Sequence, residues 1–156
     1  MKRGMNPHHG SGNYEMPTKV VDASIIAAWC FREPRASEAM GILSDSELHA
    51  PLLLAYELTS IARKKAIAYP EKAAALGEAL QMAFAVPIRW SEVDHLAVLR
   101  LAIDVNLTTY DACYLYLSRK LGVPMATFDQ RLARAALKGW PDNPALIINC
   151  PIQRSG

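Results

Sequence analysis

The sequence predicts an α/β fold in which a parallel sheet carries helices on both of its faces. Two observations predict this fold class. Five short apolar runs of the kind that form strands alternate along the chain with longer helical segments, and such alternation is typical of parallel sheets. The chain has 156 residues, of which 51% are hydrophobic and 21% are charged. That length and composition indicate one globular domain with its own core.

Five runs predict the strands, because β-branched and aliphatic residues dominate each run and a proline or a turn residue borders most of them. In chain order the predicted strands are Lys19–Val21, Leu48–Ala50, Val86–Ile88, Val123–Phe128 and Ala145–Asn149.

Seven segments between the strands predict helices. In chain order they are Ser24–Phe31, Pro34 to about Ser46, Pro51–Ala66, Pro70 to about Ala85, Ser91 to about Asp104, Thr108–Gly122 and Asp129–Lys138. A proline opens the second, third and fourth helices, where a first-turn proline is well tolerated. Leucines at helical spacing mark the third helix. Ser91, followed three residues later by Asp94, predicts a capping box at the start of the fifth.

Residues 1–15 show no hydrophobic period and are predicted to form a flexible leader outside the fold. Within it, His8-His9-Gly10-Ser11-Gly12 is typical of a cloning remnant or of an upstream start, which leaves open whether the leader is native. The predicted domain covers residues 16–150, and residues 151–156 form a tail.

The composition excludes several classes of protein. The longest apolar run begins at Ile25 and covers only about two turns of helix, which is too short to cross a membrane. The polar N-terminus contains no apolar region of a signal peptide. Three cysteines, Cys30, Cys113 and Cys150, are odd in number and far apart, which disfavours a disulfide framework and fits a reducing compartment. We therefore expect a cytoplasmic protein without a membrane segment.

Four acidic residues are predicted to lie at the carboxyl edge of the sheet, where parallel sheets bind their ligands. Asp22 directly follows the first strand, and Asp129 directly follows the fourth. Glu57 shares the apolar face of the third helix, whose first turns follow the second strand. Asp111 lies at the start of a helix joined to the fourth strand by a short link, so this helix runs antiparallel to that strand and begins at the same edge.

Each acidic residue also has a local explanation. Asp22 and Asp129 are placed to cap the helices that follow them, and Asp111 stands three residues after Thr108, as in a capping box. Glu57 is placed either for a buried ion pair with a lysine or arginine or for the margin of the apolar stripe. Four carboxylates in one place would raise each other's pKa, and Mg²⁺ or Mn²⁺ would resolve this repulsion through oxygen ligands.

The remaining charges fit a ligand rich in phosphate. The formal net charge is +2, so the rest of the chain is distinctly basic once these four acidic residues are set aside. The isolated His49 and His95 offer no zinc spacing, and no glycine-rich phosphate loop is present.

Four short motifs together resemble the PIN-domain ribonucleases, most closely the VapC-type toxins. The motifs are Val20-Val21-Asp22-Ala23-Ser24, Tyr56-Glu57-Leu58, Leu107-Thr108-Thr109-Tyr110-Asp111-Ala112 and Thr127-Phe128-Asp129. The resemblance covers about residues 16–149. It implies a three-layer α/β/α sandwich with a five-stranded parallel sheet, and a Mg²⁺- or Mn²⁺-dependent endoribonuclease that acts on RNA. It also implies a cognate VapB-like antitoxin and a homodimer.

By the same resemblance Asp22, Glu57, Asp111 and Asp129 are the catalytic and metal-binding residues, and two hydroxyl residues support them. These two are Ser24 and Thr127. Our hypothesis is that Asp22 and Asp111 bind the principal cation directly, while the other two acidic residues complete the site through water or at a second metal.

Three alternatives remain open on the sequence. One is a PIN-domain nuclease that processes RNA and is not a toxin, and another is a catalytically inactive PIN-like binding module. A magnesium-dependent phosphatase would need an Asp-x-Asp loop, which Ala23-Ser24 after Asp22 does not provide.

Apolar residues of the fourth helix recur at helical spacing, which serves either core packing or a homodimer interface. They are Ala73, Leu76, Leu80 and Phe84.

Overall fold

The structure, a computed structural model, describes residues 15–139 and the backbone of residues 147–148. The predicted α/β fold is confirmed: one five-stranded sheet is parallel throughout. Its strands are β1 (Thr18–Val21), β2 (Glu47–Pro51), β3 (Ile88–Ser91), β4 (Met125–Ala126) and β5 (Ile147–Ile148). Of the predicted leader, residues 1–15, all but Glu15 lie outside the described residues, as does the predicted tail, residues 151–156.

Seven α-helices connect the strands in the described part of the chain. They are α1 (Ala23–Cys30), α2 (Ala36–Ser44), α3 (Leu53–Ala68), α4 (Ala73–Phe84), α5 (His95–Val105), α6 (Thr109–Leu121) and α7 (Gln130–Gly139). A short 3₁₀ turn, Pro70–Lys72, joins α3 to α4. None of the helices described is long and apolar enough to cross a membrane.

The strand order β3-β2-β1-β4-β5 sorts the helices into two layers. The chain moves from β1 outward to β3 and then returns to the other side of β1. Because parallel crossovers are right-handed, this reversal sends α1–α4 to one face and α5–α7 to the opposite face. The contacts agree, since α1 packs on α2, α3 and α4, while α5 packs on α6 and α7. The result is a three-layer α/β/α arrangement.

The core lies on both faces of the central strand. Val20 and Val21 of β1 are fully buried. Ile25 and Ile26 of α1 pack in the same cluster as Tyr114 of α6. Burial on both faces explains why the central strand β1 ends in consecutive apolar residues, whereas β2 and β3 also carry polar residues.

The predicted third strand and the predicted cap of the fifth helix are both wrong. The third strand is Ile88–Ser91 and not Val86–Ile88, because pairing with β2 extends to the partners Pro51 and Ser91. Ser91 therefore ends a strand and does not cap α5. The cap is Asp94, whose carboxylate accepts hydrogen bonds from the backbone N–H groups of Leu96 and Ala97.

The fourth strand is shorter than its apolar run. Only Met125 and Ala126 form the ladder with β1, whereas the run predicted a strand over Val123–Phe128. Pro124 has no N–H group to donate, although its carbonyl accepts from Val20. The predicted fifth strand contains the observed β5, and the rest of its span lies outside the described residues.

Candidate active site

The candidate site lies where the strand order reverses. β1 and β4 are neighbours in the sheet although β2 and β3 lie between them in the chain. In open α/β sheets the crevice beyond the carboxyl ends of two such strands is the usual binding place. The Asp22 N–H group donates to the carbonyl of Ala126, which brings the residues after β1 and β4 side by side.

Asp22 is a buried carboxylate at the carboxyl end of β1, only 5% exposed. Its Oδ1 accepts from the backbone N–H of Ser24 at 3.0 Å and from Ser24 Oγ at 2.5 Å, and its Oδ2 accepts from Thr127 Oγ1 at 2.5 Å. Asp22 therefore does cap α1. Burial nevertheless raises the pKa of Asp22 from 3.8 to about 6, although these hydrogen bonds lower it. A helix cap alone does not require such burial.

Ser24 and Thr127 join the two loops that carry Asp22 and Asp129. Ser24 Oγ accepts from the backbone N–H of Phe128 at 2.8 Å, and Thr127 Oγ1 accepts from that of Asp129 at 2.9 Å. Since each hydroxyl also donates to Asp22, both are fully engaged. The two residues therefore fix the orientation of the Asp22 carboxylate relative to the start of α7.

Glu57 projects from α3 and is half-buried. Its Oε2 accepts a short hydrogen bond from the hydroxyl of Tyr114 on α6. Burial is the main cause that raises the pKa of Glu57, and the charge of Asp111 adds to it. None of the ion pairs among the described residues includes Glu57, so the ion-pair explanation does not hold there.

Asp111 lies in the first turn of α6 and is half-buried. Its backbone N–H donates to the hydroxyl of Thr108, which caps the helix. Burial raises the pKa of Asp111, and the negative charge of Asp129 raises it further, while the Thr108 hydroxyl and the charge of Arg131 lower it. The local capping interaction is therefore present, and the charge of Asp129, in the loop after β4, also acts on Asp111.

Asp129 follows β4 and is exposed. Its Oδ1 accepts from the backbone N–H groups of Arg131 at 2.8 Å and Leu132 at 3.0 Å, so it caps α7. These bonds engage one oxygen. Oδ2 receives no hydrogen bond within the described part of the chain.

Electrostatic interactions connect the four carboxylates into one cluster. Asp129 acts on Asp111, and Asp111 acts on Glu57. Burial is the main cause that raises the pKa of Tyr114, and the charges of Glu57 and Asp22 raise it further. These interactions link residues from α3, α6 and the ends of β1 and β4, and their role as one metal site stays a prediction.

The donor set fits a hard divalent cation that keeps part of its water shell. Within residues 15–139, no three carboxylate, imidazole or thiolate groups already stand together as ligands of one ion. Mg²⁺ does not need such a cage, because it is commonly held by one or two carboxylates and retains several waters. All four side chains offer oxygen ligands, and burial is the main cause that raises the pKa of three of them, so a bound cation would stabilise their charged forms.

Two arginines lie beside the cluster. The charge of Arg131 acts on Asp111. The guanidinium of Arg35 stacks on the ring of Phe128 at 3.6 Å and forms an ion pair with Glu38 at 2.6 Å. Phe128 is the residue between Thr127 and Asp129, so a positive charge stands next to the loop that follows β4.

A separate cavity of about 610 Å³ opens beside the first turn of α6. It contains none of the four acidic residues. Its lining comes from the ends of β2 and β3 and from the starts of the helices near them: Pro51, Leu52, Leu53, Ser91, Glu92, Val93, His95, Val98, Thr109, Tyr110 and Cys113. The cavity therefore adjoins the acidic cluster at Asp111 without being part of it.

The burial of Asp22 gives the metal-free protein a specific pH dependence. Its pKa of about 6 in the folded state exceeds the ordinary 3.8, so the folded chain binds this proton more tightly than the unfolded chain. The contribution of Asp22 to the free energy of unfolding is therefore highest below about pH 4 and falls as the pH rises through about 6, by up to about 3 kcal/mol. Urea unfolding across this range measures the fall. Asp22→Asn should flatten it, and equal slopes in both proteins would contradict the assignment.

The fold and this arrangement of acidic side chains define a PIN domain. The PIN-domain family model matches residues 19–138, so the chain belongs to this family, and the matched span contains all four acidic residues. The resemblance to VapC-type proteins is also confirmed. The chain is 35% identical over 122 residues to Ribonuclease VapC3 of Pyrobaculum aerophilum, which covers 73% of this chain and 91% of that protein.

A solved structure shows the same fold. The crystal structure of PAE2754 from Pyrobaculum aerophilum superimposes with a TM-score of 0.63. The match covers 77% of this chain and 80% of that chain at 24% sequence identity.

Proposed function

We propose that the protein is a Mg²⁺- or Mn²⁺-dependent endoribonuclease that hydrolyses phosphodiester bonds of RNA. One observation carries the proposal. Asp22, Glu57 and Asp111 have raised pKa values at the strand-order reversal, and none of them forms an ion pair with a lysine or arginine of the described residues. The similarity to a protein named Ribonuclease VapC3 supports RNA as the substrate.

The four acidic residues would divide the work according to their positions. Asp22 and Asp111 would hold the cation directly, and Glu57 and Asp129 would orient water around it. Ser24 and Thr127 keep Asp22 in place through their hydroxyl groups. The chemistry that Mg²⁺ or Mn²⁺ supplies in such a site is a lowered pKa for the attacking water and neutralisation of charge on the phosphate. Arg131 and Arg35 would attract the RNA backbone.

RNA cleavage by the purified protein tests this proposal. We expect cleavage with Mg²⁺ or Mn²⁺ and none in excess EDTA, with activity restored when either cation is added back. Ca²⁺, which prefers more ligands at longer distances, serves as the comparison. If the protein neither cleaves RNA nor binds Mn²⁺, the catalytically inactive binding module becomes the better explanation.

We further propose that this nuclease is the toxin of a VapBC-type pair and that a VapB-like antitoxin binds it. The similarity to VapC3 over 91% of that protein supports this role. The alternative within the same family is a nuclease that processes RNA without toxicity. A toxin that cuts cellular RNA would act in the cytoplasm, where the free cysteines Cys30 and Cys113 would stay reduced.

A homodimer is also proposed, and exposed apolar side chains support it. On α4, Phe84 is 43% exposed, while Leu76 and Leu80 are half-buried against the fold. On α5, Leu96, Leu99 and Ile103 recur at helical spacing and are all exposed. Apolar surface of this kind is typical of interfaces. Sedimentation equilibrium measures the mass, and a purely monomeric protein at high concentration would contradict the dimer.

A further inference from the structure

Tyr114 is a buried aromatic residue whose polar atom is committed to the acidic cluster. It lies on α6, one turn after Asp111, and is only 1% exposed. Its hydroxyl donates to Oε2 of Glu57, which is 57 positions away in the sequence. A buried tyrosine needs a hydrogen-bond partner, but here that partner is a carboxylate of the candidate site.

Tyr114 shares a helix face with one acidic residue of the site and interacts with two others. Asp111 and Tyr114 stand three apart on α6, so they share a helix face. The charge of Asp111 acts on Glu57, and the charges of Glu57 and Asp22 act on Tyr114. The phenol therefore contacts the carboxylate of Glu57 and is close enough to Asp22 for its charge to act on it.

The hydrogen bond leaves one oxygen of Glu57 available. Tyr114 occupies Oε2, and Oε1 receives no hydrogen bond within residues 15–139. A glutamate side chain has several rotatable bonds, and holding it in one conformation costs entropy. The hydroxyl of Tyr114 holds the Glu57 side chain once the protein folds. This entropy is therefore lost during folding and not when a cation or RNA binds.

We propose that Tyr114 is a positioning residue that holds the Glu57 carboxylate toward Asp22 and Asp111, so that Oε1 faces the divalent cation or its water. This inference rests on the proposed function, since it assigns a role within the same site. Tyr114 touches no substrate and acts only through Glu57. Supporting residues of this kind commonly change metal affinity about 10- to 100-fold when they are replaced.

Mn²⁺ binding by the metal-free protein tests the inference, with calorimetry or electron paramagnetic resonance as the readout. Tyr114→Phe removes only the hydroxyl and should weaken Mn²⁺ binding about 10-fold or more. Tyr116→Phe is the matched control, because Tyr116 is a half-buried tyrosine of the same helix that packs against the core. It should bind Mn²⁺ as the wild-type protein does. In a Glu57→Gln background, Tyr114→Phe should have no further effect, since coupled residues are not additive.

The contrary outcomes are distinct. If Tyr114→Phe lowers the melting temperature but binds Mn²⁺ with wild-type affinity, the hydroxyl serves only the core and the inference is overturned. If Tyr114→Phe weakens binding equally in the Glu57→Gln background, the effect does not pass through Glu57. Failure of the wild-type protein to bind Mn²⁺ or cleave RNA would instead overturn the proposed function itself.

A second measurement observes Tyr114 in the wild-type protein and does not require Tyr114→Phe to fold. The sequence has six tyrosines, so ¹³Cζ-labelled tyrosine gives few resonances, and Tyr→Phe changes at the other positions assign the signal of Tyr114 by elimination. Titration with Mg²⁺ should shift the Tyr114 signal in parallel with binding, and Glu57→Gln should abolish the shift. An unchanged Tyr114 signal at saturating Mg²⁺ would overturn the inference.

Discussion

Replacing Asp22 with asparagine is expected to reduce RNA cleavage at least about 100-fold, a loss of about 2.7 kcal/mol of transition-state stabilisation. Asparagine has the same size and keeps one carbonyl oxygen, so it can still accept from the backbone N–H of Ser24 and cap α1. It lacks the negative charge that would attract a divalent cation. The change therefore separates the role of Asp22 in the site from its role as a helix cap.

Asp94→Asn is the matched control for this experiment. Asp94 also caps a helix of this sheet, with Oδ1 at 2.9 Å from the N–H of Leu96, and it interacts electrostatically with Arg100 and His95 but with none of the four acidic residues. Asparagine is an equally good cap, so cleavage should stay within about twofold of wild type. If Asp22→Asn retains full activity, Asp22 is not part of the reaction. If Asp94→Asn is equally inactive, the loss reflects capping and not the acidic cluster.

The second large effect is expected in cells. Expression of the wild-type protein in a bacterial host should stop growth, because one catalyst that turns over even about once per second destroys many RNA molecules. Asp111→Asn should be harmless at the same expression level. Asp111 is chosen because its side chain is half-buried and lies beside Asp129 in the cluster. Colony counts after induction measure the difference.

The cognate antitoxin provides the second arm of the cellular test. Co-expression of the gene adjacent to this one should restore growth and yield a complex that copurifies with the wild-type protein. Growth arrest by Asp111→Asn would mean that toxicity does not depend on the acidic site. Harmless expression of a protein that cleaves RNA in vitro would favour the RNA-processing nuclease over the toxin.

The order of elements could be predicted from the sequence because each element has a local signal. The β-branched run at Val20 and Val21, the leucines of α3 and the cap at Thr108 all act within a few residues. Gly122 likewise ends α6 with a positive φ of 65°, where glycine carries no steric penalty.

The boundaries that failed depend on partners distant in the sequence. β3 extends to Ser91 because Pro51 of β2 lies beside it, and no local pattern around Ser91 encodes that pairing. The cap of α5 is different, because the Asp94 carboxylate accepts from two N–H groups in the first turn of its own helix. Only the strand boundary therefore arises from the sheet.

Topology alone predicted the neighbourhood of the four acidic residues, but not the contacts that hold them. Tyr114 resembles any other apolar position of α6 in the sequence, and its role becomes visible only through the hydroxyl contact with Glu57. The one available signal was its spacing of three residues from Asp111. The supporting roles of Ser24 and Thr127 were expected from the family resemblance, and the structure shows both hydroxyl groups bonded to Asp22.

The most direct test of the acidic site is a crystal of the protein soaked in Mn²⁺ and measured at a wavelength where manganese scatters anomalously. If the four acidic residues form the proposed metal site, we expect a strong anomalous peak between the carboxylates of Asp22 and Asp111, with Glu57 and Asp129 close to the ion or to its waters. If Mn²⁺ occupies other positions in the crystal but gives no peak near Asp22, or appears only at remote surface carboxylates, the proposed metal site is contradicted.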